Sequence, residues 1–184
     1  MKHLNHLIAT AALAFAGLLA AAHATPVVID VSGAQSVNLQ GEAGNTVWLV
    51  NIGANATLNS LDWALTLNAF APSNLSEMQV SFGNASGLDL VTLAPGALEA
   101  VSGTGSYFGS LNLSPYGVTA GADGLLRIEF SEGYKDFALN VAEGQWVSGN
   151  LTFDVSAVPE PSSAALVLLG LGLVGTRLRR IRRG

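Results

Sequence analysis

Between residues 25 and 157 the chain alternates apolar and polar positions in short runs, each bounded by Gly, Asn, Ser or Pro. A period of two puts successive side chains on opposite faces of a strand, so each run reads as a strand with one face turned inward. The clearest is 61–69: Leu61, Trp63, Leu65, Leu67 and Ala69 point one way, Asp62, Ala64, Thr66 and Asn68 the other, and Pro72 closes it. Residues 27–31 open the series, and 46–52 (TVWLVNI) is apolar enough to predict a strand buried on both faces. Met78, Val80 and Phe82 alternate with Gln79 and Ser81, Leu126, Ile128 and Phe130 with Arg127 and Glu129, and Leu151, Phe153 and Val155 with Thr152 and Asp154. Tyr107, Leu111 and Leu113 predict a further strand closed by Pro115, and Phe137, Leu139 and Val141 another. No stretch here sustains a 3.6-residue period. About eight strands with frequent turn signals predict an all-β ectodomain, an antiparallel β-sandwich of jelly-roll-like form.

The two ends break this pattern. Residues 1–24 read as a signal peptide: Lys2 supplies the positive start, 7–21 the apolar run, and Ala22-His23-Ala24 a small-x-small cleavage site for signal peptidase. Cleavage after Ala24 makes Thr25 the first residue of the mature chain. The alternative, an uncleaved N-terminal anchor, is disfavoured by the short apolar run and its Ala-x-Ala end. Residues 158–184 form a separate segment with three parts in order. Val158, Pro159, Glu160 and Pro161 come first, then an uncharged apolar span over 162–176, then a basic tail, 177–184, with Arg177, Arg179, Arg180, Arg182 and Arg183. Prolines on either side of Glu160 keep it extended and outside any neighbouring helix or sheet. A helix crossing a bilayer needs about 20 residues. The span supplies 15, and Leu178 and Ile181 extend it if the arginines snorkel to the headgroups. The run is apolar on every face, unlike an amphipathic surface helix, and predicts a transmembrane helix. Arginines are costly to carry across a bilayer, so they hold the tail in the cytoplasm and leave 25–157 outside the inner membrane.

The order and spacing of Pro159-Glu160-Pro161, apolar span and basic tail resemble the PEP-CTERM sorting signal of Gram-negative bacteria, which an inner-membrane exosortase recognises. The resemblance covers the last 27 residues. It implies that Val158 to Pro161 hold the recognition motif and that the part after the motif is removed. It also implies exosortase and signal peptidase as partners, membrane-anchored transit, and a final place in the cell envelope or extracellular matrix. A second resemblance, over 124–155, is to the jelly-roll P-domain of proprotein convertases, through the turn Gly144-Gln145-Trp146 and the strand after it; it carries no functional residue across.

Charge changes the picture of the middle segment. Twelve acids stand against Arg127 and Lys135 as the only bases, a net charge of −10 that the whole-chain value of −5 conceals. Such a surface repels nucleic acid and anionic lipid. There is no cysteine, and His3, His6 and His23 all lie in the leader. The segment after residue 24 therefore has neither residue type. That removes Ser-His-Asp and Cys-His nucleophiles, His/Cys zinc sites and HExxH metalloprotease chemistry.

Paired carboxylates remain a candidate for glycoside hydrolysis, with Glu129, Glu132 and Asp136 near in sequence and Asp123 near Glu129. The plain alternative is that these acids alternate outward on a strand and decorate turns. Loop oxygens suit calcium, although no EF-hand-type string is present. Residues 102–106 (SGTGS) read as a surface loop. Trp48 and Trp63 read as core, while Trp146, in a Gly- and Ser-bounded turn, is the candidate for ligand contact. Asn55, Asn74, Asn84 and Asn150 begin Asn-x-Ser/Thr triplets, which are also turn residues. The expectation is an exported, exosortase-sorted structural protein of the cell surface or exopolysaccharide matrix, with no catalysis and no cofactor. The alternative is a polysaccharide- or calcium-binding module at the envelope.

Overall fold

The computed structural model describes residues 24–88 and 90–157. The expected anchor segment, and the leader up to residue 23, lie outside the described residues. The described residues form nine strands: β1 (Ala24–Asp30), β2 (Gln35–Ser36), β3 (Thr46–Asn51), β4 (Thr57–Ala69), β5 (Met78–Asn84), β6 (Val91–Leu93), β7 (Gly103–Asn112), β8 (Leu125–Glu132) and β9 (Gly144–Ser156). They form two antiparallel sheets. One has the order β1-β9-β4-β7, with β2 also on β9, and the other has the order β3-β8-β5-β6. The chain passes from one sheet to the other at six of the eight connections; β1 and β2 both lie on β9, and β5–β6 is an in-sheet hairpin. This alternation is that of a jelly-roll-like sandwich. Among the described residues no helix is long and apolar enough to cross a membrane.

The inward positions meet between the sheets. Phe82 of β5 sits edge-on to Phe153 of β9 at 5.1 Å, and Phe130 of β8 edge-on to Trp146 of β9 at 4.9 Å. The buried apolar cluster runs from Ile29 to Val155, so the core is complete within the described segment, which carries what it needs to fold alone. Each fully buried large side chain contributes about 1.5–3 kcal/mol.

Three expectations are corrected. The run 46–52 is not buried on both faces: β3 is a sheet edge, and Val47 and Leu49 are 41% and 56% exposed on its outer side. Residues 103–106 are not a loop but the first part of β7, paired with β4 from Ala69↔Gly103 to Thr66↔Ser106. Glycine is needed there: a Cβ on Gly105 would lie 2.3 Å from the Tyr107 hydroxyl. The alternation Phe137, Leu139, Val141 is not a strand. Residues 133–143 form a loop between β8 and β9, with Leu139 and Val141 exposed, because its backbone is tied to a buried carboxylate rather than to a neighbouring strand.

β4 and β9 are the two long central strands, and their pairing contains a bulge. Thr66 faces Ser148 and Leu67 faces Trp146, leaving Val147 as the extra residue. The bulge lets Val147 and Ser148 both face solvent while Trp146 turns fully inward.

Candidate functional site

The sorting segment predicted from the sequence begins one residue after the last described residue, Ala157, so the domain's contribution is how it holds that junction. β9 ends at Ser156 as an internal strand, flanked by β1 on one side and β4 on the other. Ser156 pairs with Ala24 in β1 and with Thr57 in β4. Asn59 Nδ2 adds donated bonds to Ser156 Oγ at 2.8 Å and Asp154 Oδ2 at 3.3 Å. The beginning and end of the domain thus emerge side by side. The predicted cleavage residue Ala24 lies inside β1, with Thr25 opposite Val155. A load applied through the C-terminal end would have to break two ladders of main-chain bonds at once.

The carboxylates singled out in the sequence have structural partners rather than a shared cleft. Glu129 points to the outer face of its sheet yet is fully buried, because residues 38–45 fold over it. Its Oε2 takes Arg127 Nη1 at 2.6 Å, and its Oε1 accepts from Gly41 N and Asn45 Nδ2, each at 2.8 Å. Burial alone would raise this carboxyl, but the bonds from Arg127, Asn45 and Gly41 outweigh it and hold Glu129 below the usual range. Asp123 accepts from Leu125 N in the turn before β8. Asp136 is exposed, in the loop between β8 and β9.

That loop is organised by Glu143, which sequence reasoning left out. Glu143 is fully buried and accepts from the backbone N–H groups of Asp136 and Phe137 at 2.9 Å each. Lys135 Nζ lies 2.6 Å from its Oε1 and also donates to the carbonyls of Val37 and Val141. Burial pushes Glu143 up, and Lys135 with the two backbone donors more than reverses it. Both bases of the segment are thus committed to buried glutamates, and the remaining charge of the surface is acidic.

Glu132 is different. It is buried, and neither oxygen has a hydrogen-bond partner of acceptable geometry among the described residues. Burial, then the negative charges of Glu143 and Glu77, push its carboxyl up to about 8, and Ser36 and Lys135 counter this only in part. The expectation that these acids all alternate outward fails here, and parity could have found it. Glu132 has the same phase as Leu126, Ile128 and Phe130, so it shares their inner face.

Trp146, the candidate for ligand contact, is fully buried and donates from Nε1 to Ser36 Oγ at 3.1 Å. Among the described residues Phe108, on the outer side of β7, is the most exposed aromatic, with Tyr116 and Tyr134 also exposed. Among the described residues no group of three or more acids converges as a cation site. Asn55 sits at φ 55°, and Asn84 Oδ1 accepts from Ser86 N, so both act in turns; Asn150 lies in β9.

A model of the PEP-CTERM protein-sorting motif matches residues 157–183. The chain thus carries the PEP-CTERM sorting motif at residues 157–183. This motif marks the chain as exported, membrane-anchored in transit and sorted by an exosortase. No curated protein matches it. Solved structures similar to its domain include an Aeromonas sobria serine protease in complex with its chaperone ORF2, at 13% identity and TM-score 0.43, covering 78% of this chain and 29% of that one. Others are the VP2 subviral particle of infectious bursal disease virus (12%, TM-score 0.38, 74% and 34% covered) and latent PorU of Porphyromonas gingivalis (12%, TM-score 0.35, 75% and 13% covered). The chain spans less than a third of the first of these structures.

Proposed function

We propose that this protein is a non-catalytic structural component of the cell envelope or its exopolysaccharide matrix. It is exported behind a leader cleaved after Ala24, held by the C-terminal segment, and released or transferred by cleavage near Pro159 to Pro161. The observation that carries this reading is the sorting motif set directly behind β9, the strand locked between β1 and β4. An internal strand is the part of a sandwich best suited to bear an attachment. The absence of His and Cys after residue 24, and the structural partners of Glu129 and Glu143, support a role without catalysis or cofactor. Mass spectrometry of the protein from native cells tests the reading: the expected mature chain starts at Thr25 and ends near the Pro-Glu-Pro triplet. A mature chain still reaching Gly184, or unchanged processing in cells without exosortase, overturns it.

A further inference from the structure

β7 is an outer strand of its sheet, with β4 as its one neighbour among the described residues. Its ten residues, GTGSYFGSLN, pair with β4 without a register shift and include no charge and no proline. Sheet edges are ordinarily protected by shortness, proline, charge or a bulge. Two of the other edges show such devices: β6 has three residues, and β1 contains Pro26 and Asp30. β3 is six residues long, and its first, Thr46, is tied through its hydroxyl to both backbone groups of Gln35. β7 has none of them.

The inner side of this strand is closed and firm. The Trp63 ring lies over Gly109, where a Cβ would come within 2.3 Å of it, and the Tyr107 ring lies over Gly105. Tyr107 is itself anchored through a 2.9 Å bond from its hydroxyl to Glu99 Oε2. The outer side carries Phe108, 88% exposed, between exposed Ser106 and Ser110. A straight, neutral, ten-residue edge with its main-chain groups unladdered and an aromatic ring in solvent is a surface awaiting a strand.

We infer that β7 is a self-association edge, pairing antiparallel with β7 of a second copy so that the two sheets become one. Charge selects this occupant. The domain's net charge of −10 opposes close approach of copies over most of the surface, while the β7 seam brings together two strands with no charge on either. Antiparallel pairing about a two-fold axis uses the same edge on both copies, so one edge per chain closes a dimer rather than propagating a fibre. In that joined sheet Phe108 comes near its own counterpart on the outer face, the arrangement in which cross-strand aromatics stabilise a pair. The inference does not rest on the sorting reading and can fail separately from it.

The test uses purified residues 25–157. Light scattering over a concentration series should approach twice the monomer mass. The double substitution Ser106→Glu with Ser110→Glu sets like charges along the seam and should return it to the monomer mass with an unchanged circular dichroism spectrum. Because the chain has no cysteine, single cysteines report the seam directly. At least one of Ser106→Cys, Phe108→Cys and Ser110→Cys should oxidise to a disulfide-linked dimer several-fold faster than Val47→Cys on the β3 edge. A monomer at every concentration overturns the inference, and if that monomer binds extracted envelope polysaccharide through Phe108 the strand is a sugar platform instead. Equal cross-linking from Val47→Cys, or a folded double-glutamate variant that still dimerises, overturns it as well.

Discussion

Lys135 Nζ sits 2.6 Å from Glu143 Oε1 across the loop that joins β8 to β9, and the same glutamate takes the backbone N–H groups of Asp136 and Phe137. One buried carboxylate therefore shapes a loop that the alternation of Phe137, Leu139 and Val141 had suggested was a strand. Removing either partner leaves the other uncompensated, and that asymmetry makes the pair a point at which the fold can be probed.

Lys135→Met should destabilise the domain by about 3–5 kcal/mol, because it strands the Glu143 charge in the interior. The double variant Lys135→Met with Glu143→Gln should recover part of that loss. Urea unfolding of the single and double variants measures it. Equal stability of Lys135→Met and the parent would show that the ion pair is not what holds the loop.

Glu132 predicts a pH dependence. Its carboxyl titrates from an ordinary value of 4.5 when unfolded to about 8 when folded, so the folded state holds the proton more tightly. Its contribution to stability is complete below pH 4.5 and is lost as pH rises towards 8. The steepest loss from one such group is about 1.4 kcal/mol per pH unit. Glu132→Gln cannot ionise and should be more stable than the parent at pH 8, with the gap closing towards pH 5. Urea midpoints of both proteins at several pH values provide the check, and parallel curves would contradict the assignment.

Gly149 allows no side chain. It has φ +115°, and a Cβ would fall 2.1 Å from the Ala64 carbonyl oxygen beside the bulge of β4 and β9. Gly149→Ala should lower stability by more than about 2 kcal/mol, since strain and overpacking both act there. Gly33 also has positive φ, +86°, but open space around it. Gly33→Ala, which meets strain alone, should cost less in the same thermal melts.

Trp146 should behave as core. Trp146→Ala is expected to cost about 3–5 kcal/mol, and Trp48→Ala less, because Trp48 is half-buried at the sheet edge although it touches Phe130 at 4.8 Å. If Trp146→Ala were tolerated while glycan binding was lost, the ring would belong to a ligand site after all.

The inner faces of β4, β5, β8 and β9 were legible from alternation, since burial repeats every second residue wherever one face of a sheet is covered. Even Glu132 obeys that phase. What alternation cannot convey is which strand lies at an edge. TVWLVN has the composition of a fully buried strand, yet β3 has one neighbour among the described residues and its outer side faces solvent. Nor can it foresee Glu129, which follows the outward phase and is buried because residues 38–45 cross over it, with Gly41 and Asn45 as donors.

By itself the sequence determined the fold class, the acidic character of the middle segment and the sorting motif at its end, because each is written in local order: period-two alternation, a count of charges, and a proline pair before an apolar run and arginines. Only tertiary structure decided that Thr25 lies opposite Val155, that Arg127 and Lys135 serve buried glutamates, and that β7 has no second neighbour among the described residues. Those facts depend on which segments meet across long stretches of chain, and hydrophobic burial, being non-directional, specifies that strands must cover one another without specifying which.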